Sequence, residues 1–146
     1  MNYRLFADEA CWKFRQEQPR AWNSFGCGPG RWGDYLIPDT MWGLYIGEAC
    51  KIHDWGYRLS PGASEEHRFE QDRILKWNCM RIINAAYDYR MEHNYKWHRI
   101  WEWLHEKRTR RAELYYETVR SRGGPAYWED RNPKSKYKLI TQGGLT

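Results

Sequence analysis

Between Glu65 and Arg122 the chain contains neither glycine nor proline. The two residue types that end helices most effectively are absent, so once a helix starts at Ser64 neither stops it before Gly123. An unbroken helix there would measure about 85 Å, too long for one compact domain. Two helices are therefore expected, with a break near His93–Asn94. Ser64 reads as the cap of the first, and Glu65 and Glu66 fall in its opening turn, where negative charge complements the helix dipole. Gly123-Gly124-Pro125 should end the helical part and leave 123–146 as an irregular tail.

Upstream, residues 3–18 predict a short amphipathic helix, with Phe6, Ala10 and Phe14 at i, i+4 and i+8. Residues 19–38 are rich in Gly and Pro and read as a loop. Pro38-Asp39 looks like the start of a further helix, with Met41, Leu44, Tyr45 and Ile46 following, that runs to about Arg58 and stops at Ser60-Pro61-Gly62. With 146 residues and no internal repeat, the chain is expected to form a single all-α domain over 1–122. Aromatic residues make up 17% of the chain, ten of them Trp, so burial must lean on large flat side chains.

The helix before Ser60 carries chemistry. Positions 46, 50, 53 and 57 share one helical face, which puts His53 in line with Ile46, Cys50 and Tyr57, and Asp54 about 100° round the axis. On the next helix Phe69, Leu75, Cys79, Ile82, Ile83 and Ala86 form an apolar stripe whose one charged member is Asp72. An unpaired buried carboxylate is costly, so Asp72 needs a partner, and His53 on the facing helix of an antiparallel pair is the natural one. A lone inward histidine is ordinarily a satisfied core residue; the buried acid and the adjacent Asp54 argue for more. Upstream, Gly26-Cys27-Gly28-Pro29-Gly30 places three glycines in five residues. Glycine permits positive φ and close backbone approach, so successive carbonyls can converge on a hard cation together with a carboxylate.

The order of these parts, Cys27-Gly28-Pro29-Gly30, then Cys50-x-x-His53-Asp54-x-x-Tyr57, then Asp72-Arg73, resembles the phospholipase A2 superfamily. The short spacing from His53 to Asp72 is similar to its compact bacterial and parvoviral-capsid forms, and the match covers roughly residues 25–83. The resemblance implies two antiparallel catalytic helices, about 40–58 and 65–88, with an N-terminal helix and a calcium loop, followed by a helical extension over 84–122. It implies calcium-dependent hydrolysis of the sn-2 ester of phospholipids. His53 would be the general base on water, Asp72 its orienting acid and Tyr57 a hydrogen-bond donor to that acid. Asp54 and the carbonyls of Gly26, Gly28 and Gly30 would hold Ca²⁺, and the Gly28 N–H would donate to the oxyanion. Leu5, Phe6, Leu36, Ile37, Trp42 and Ile46 are candidates for an acyl-chain channel. Cys27 and Cys50 fall where many secreted members carry a disulfide; Cys11 and Cys79 match no motif and could pair or stay buried thiols. A zinc site from Cys50, His53, Cys79 and His93 is the weaker alternative, since it lacks a second close ligand pair.

Residues 84–146 match nothing in that superfamily. Residues 1–84 balance 11 Lys+Arg against 11 Asp+Glu, whereas 85–146 carry 13 against 8, so the net charge of +5 resides in the C-terminal part. Tyr87, Tyr89, Tyr95, Trp97, Trp101, Trp103, Tyr115 and Tyr116 stand among those basic residues. Helical core packing explains most such aromatics; docking to an anionic phospholipid surface is the functional reading. Two rivals follow: an inactive phospholipase A2-like binding or structural module, as in a virus particle or toxin, and a basic-aromatic helical protein that binds nucleic acid. No apolar run of about 18 residues is present, and the N-terminus is charged too early for a cleaved signal peptide. The expectation is a cytoplasmic protein or one released by a leaderless route, phage- or virus-associated release included.

Overall fold

The computed structural model of the chain describes residues 3–24, 38–59 and 64–130. The glycine- and proline-free stretch folds as two helices, α4 (Glu65–His93) and α5 (His98–Arg122), joined through Asn94 and a single 3₁₀ turn at Tyr95–Trp97. The break falls where expected. Ser64 caps α4 through its side-chain oxygen, which accepts from the His67 N–H at 3.0 Å. Arg90 and His93 close the last turn of α4, and Arg120 and Arg122 that of α5, where positive charge faces the carbonyl end.

The N-terminal elements are shorter than the sequence suggests. Helix α1 spans Glu9–Glu17, and α2 (Pro19–Trp22) is a turn begun by a proline at its first position. Residues 3–8 are not helical, because their backbone is claimed by α4: the Phe6 N–H donates to Asn78 Oδ1 at 2.6 Å and Asn78 Nδ2 donates to the Phe6 carbonyl at 2.7 Å. The expected stripe fails as well. Phe6 and Ala10 are exposed, and α1 instead buries Cys11 and packs Phe14 on Trp55 at 4.4 Å.

The helix expected from Asp39 begins later. Thr40–Met41 (β1) pairs antiparallel with Leu44–Tyr45 (β2), and α3 follows as Gly47–Leu59. The two central residues of the hairpin, Trp42 and Gly43, have φ of 50° and 73°, the positive values that a two-residue hairpin turn requires. A helix through this segment would bury Gly43 in its interior, where glycine is penalised. Pro125 likewise does more than stop α5. It sits in the first turn of α6 (Gly124–Asp130), a position proline tolerates, so residues 124–130 of the expected tail are helical. Residues 131–146 lie outside the described residues.

The described residues are thus mostly helical, with one two-stranded hairpin. The larger core joins Met41 and Ile46 to Ala49 and Cys50 of α3, Leu75, Cys79, Ile82 and Ile83 of α4, and Ala112, Tyr115 and Val119 of α5. Each large aliphatic buried here stabilises the fold by about 1.5–3 kcal/mol. A second cluster gathers Cys11, Trp22, Ile52, Trp55 and Ile74. Phe69, assigned to the α4 stripe by periodicity, is 41% exposed; the other members are buried. The second half of α5 therefore shares one core with α3 and the middle of α4. No helix among the described residues is long and apolar enough to cross a membrane.

Candidate active site

Helix α3 carries His53, Asp54 and Tyr57, and α4 returns along it to bring Asp72 opposite. All four are buried, Asp72 completely. His53 Nε2 lies 2.7 Å from Asp72 Oδ1, and the Tyr57 hydroxyl donates to the same oxygen. A carboxylate can only accept, so Nε2 carries the proton and Nδ1 is the nitrogen left for other chemistry. That nitrogen faces Asp54, with Oδ1 at 3.8 Å. The rings of His53 and Tyr57 pack at 4.3 Å, and Tyr57 is backed in turn by Tyr127 of α6 at 4.9 Å with the planes 82° apart.

Two cations complete the surroundings of Asp72. Arg120 Nη1 donates to Oδ2 at 2.7 Å, and Arg68 Nη1 stands 3.7 Å from the same oxygen. Neither arginine was singled out by the sequence. Arg68 could have been, since it precedes Asp72 by one helical turn; Arg120 lies 48 residues away on another helix.

The charges act on one another. Burial disfavours the imidazolium of His53, but hydrogen bonds and charge from Asp54 and Asp72 outweigh it, and its pKa is pushed up to about 9. Burial works against the Asp72 carboxylate too, yet the bonds from His53, Tyr57 and Arg120 hold its pKa below the usual carboxylate range. The Tyr57 phenol is driven upward by burial and by the adjacent Asp72, so it stays a donor.

The proposed metal carboxylate can be tested against its environment. Asp54 is 8% exposed, and among the described residues the one charged group against it is the His53 ring. A nearly buried carboxylate needs a counter-charge, and a cation could share that role with the His53 ring. The remaining proposed ligands, Gly26, Gly28 and Gly30, lie outside the described residues, and no group of three His, Cys, Asp or Glu among the described residues is placed to hold a metal. The zinc alternative is not assembled: His53 Nε2 is committed to Asp72, and His93 is exposed at the end of α4, its Nδ1 2.8 Å from the Tyr89 carbonyl.

The channel candidates are separated. Leu5 and Phe6 line a cavity of about 560 Å³ with Trp12, Ile74, Trp77 and Arg81. Ile46 is instead sealed in the larger core, and Trp42 sits on the hairpin turn with its ring 5.5 Å from that of Trp103. Leu36 and Ile37 lie outside the described residues, as does Cys27, the expected partner of Cys50. Cys11 and Cys79 are free, buried in different clusters, and burial pushes each thiol up to about 12, out of nucleophilic range. No protein-family model, curated protein or solved structure matches the chain.

Proposed function

We propose that the chain is a calcium-dependent phospholipase A2-like hydrolase that cleaves the sn-2 ester of phospholipids, releasing fatty acid and lysophospholipid. The observation that carries the reading is the buried 2.7 Å bond from His53 Nε2 to Asp72, which leaves Nδ1 directed toward Asp54. In this scheme Nδ1 takes a proton from the attacking water. Asp72 fixes the tautomer and steadies the resulting imidazolium, as the acid of a hydrolytic triad does. Tyr57 holds Asp72 Oδ1 in place. His53 then returns the proton to the departing alcohol, and no covalent intermediate is required.

Asp54, with the carbonyls of Gly26, Gly28 and Gly30, would hold the calcium. When bound, the ion supplies Lewis-acid polarisation of the ester carbonyl and positive charge for the oxyanion. Gly28 N–H is assigned the second oxyanion donor; losing one such donor typically costs about 10²–10³ in rate. Without a cation, Asp54 helps to hold His53 as the imidazolium. Asp54 engaged with a cation no longer does so, which suits a base that must be neutral to act.

The substrate surface fits the outer face of α5. Ile100, Trp103 and Leu114 are exposed there beside Lys107, Arg110 and Arg111, and Trp42 packs against Trp103 from the hairpin. Exposed Trp among basic side chains favours the headgroup zone of anionic bilayers.

The test is fatty-acid release from phospholipid labelled at sn-2, with calcium and then with chelator, for the wild type beside His53→Gln. Calcium-dependent release that is lost in the variant, with calcium affinity retained, is expected. Wild-type turnover in His53→Gln would sink the mechanism.

A further inference from the structure

Asp72 is completely buried and offers two oxygens to its neighbours. Oδ1 accepts from His53 Nε2 and the Tyr57 hydroxyl, both on α3. Oδ2 accepts from Arg120 Nη1, on α5, at 2.7 Å. The Arg120 guanidinium is itself held on two sides. It lies 5.1 Å above the centroid of the Phe69 ring, and its Nη2 is 3.8 Å from Glu65 Oε2. Arg68 fixes the backbone that carries it: Nη1 donates to the carbonyls of Val119 and Arg120 at 3.3 and 3.2 Å, while Nε donates to Glu65 Oε2 at 2.9 Å. Val119 is sealed in the core, so α5 cannot turn Arg120 away without opening that core.

A carboxylate bonded through one oxygen can swing about its Cβ–Cγ bond; bonded through both, and on one side by a charged donor, its plane is fixed. The imidazole takes its orientation from Oδ1. Resting on the hydrolase reading of this site, we infer that Arg120 is a positioning residue that fixes the plane of Asp72 and thereby the aim of His53 Nδ1. Helix α5 is then part of the reaction machinery, and the catalytic unit extends well past the region that resembles phospholipase A2.

The His53 Nε2–H proton, bonded to a buried carboxylate, should give a far-downfield NMR resonance, assigned by its loss in His53→Gln. In Arg120→Gln that resonance is expected to shift or broaden. On dispersed short-chain phospholipid kcat should fall about 10–100-fold, the usual loss when an orienting partner is removed, with KM and calcium affinity unchanged. Arg120→Lys, which returns a cation to Oδ2, should recover most of kcat. A folded Arg120→Gln with wild-type resonance and wild-type kcat overturns the inference, as does a Lys variant no better than Gln.

Should Arg120→Gln not fold, Phe69→Ala takes its place, removing the ring beneath the guanidinium from an exposed position. A smaller shift of the same resonance with a severalfold loss of kcat is expected, and no change in either refutes the role. If the wild type releases no fatty acid, the hydrolase reading fails alone. The resonance then decides the coupling: insensitivity to Arg120→Gln overturns it, and a shift upholds it.

Discussion

Gly56 of α3 meets the side chain of Gln71 of α4 with no space between them: a Cβ at position 56 would stand 2.9 Å from Gln71 Cδ and closer still to its oxygen. Gln71 cannot swing clear. It is 2% exposed, its Nε2 donates to Asp8 Oδ2 at 2.9 Å, and His67 Nε2 lies 3.3 Å away. This close approach sits one residue before Tyr57 and one before Asp72, so it sets the spacing of the two helices at the site.

Gly56→Ala should therefore destabilise the fold by about 1–3 kcal/mol, the usual cost of overpacking a well-filled contact. Thermal unfolding by circular dichroism checks it. A midpoint equal to that of the wild type would mean that the helices tolerate a wider separation.

Stability should depend on pH in a defined direction when measured in chelator. His53 faces Asp54, Asp72 and Tyr57, with Arg68 and Arg120 behind Asp72. Its pKa is raised from 6.5 to about 9 in the fold, so its contribution is complete below pH 6.5 and disappears as pH rises through about 9. Asp72 is shifted the other way, so its contribution is present above the ordinary carboxylate range and is lost on acidification. The melting temperature should be highest in the mildly acidic range between those limits. His53→Gln should flatten the alkaline side; an undiminished alkaline decline in that variant would assign it to another group.

Asp54→Asn should weaken calcium binding by more than tenfold and lose hydrolysis with it, since a hard cation loses its one described carboxylate. The His53–Asp72 bond does not involve this side chain, so the fold should persist. Isothermal titration showing unchanged affinity would remove Asp54 from the metal site.

Removing the exposed rings of Trp97 and Trp103 together, as alanine, should weaken binding to anionic vesicles about tenfold or more and leave hydrolysis of dispersed short-chain lipid nearly intact. Both side chains are about half exposed, at 49% and 47%, so little core packing is at stake. Vesicle sedimentation reads the binding. Equal affinity for both proteins would place the lipid surface elsewhere.

What could be read from the sequence was what helical periodicity governs. His53, Tyr57 and Asp72 lie on two neighbouring helices, and their spacing along each brought them to one face. Ser64 was legible because a cap depends on a few adjacent residues, and the break at Asn94 because one helix over the whole stretch would outgrow the domain. The hairpin was not, because Met41, Leu44 and Tyr45 satisfy helical spacing as well as strand pairing, and the decision rested on the positive φ of Trp42 and Gly43. Pro125 read as a stop, although proline starts helices as readily as it prevents their continuation. Arg120 was hidden for a different reason: among many arginines of a basic helix, only tertiary packing selects the one that meets Asp72.

The division of Asp72 between α3 and α5 also imposes an order in time. Synthesis delivers His53, Tyr57 and Asp72 early and Arg120 late, along with the α5 residues that seal the core. A nascent chain ending after α4 would leave Asp72 Oδ2 without its 2.7 Å donor, with Arg68 3.7 Å away and the apolar face of α4 unfinished. The 2.7 Å donor to Asp72 Oδ2 therefore joins the His53–Asp72 pair only after α5 has left the ribosome.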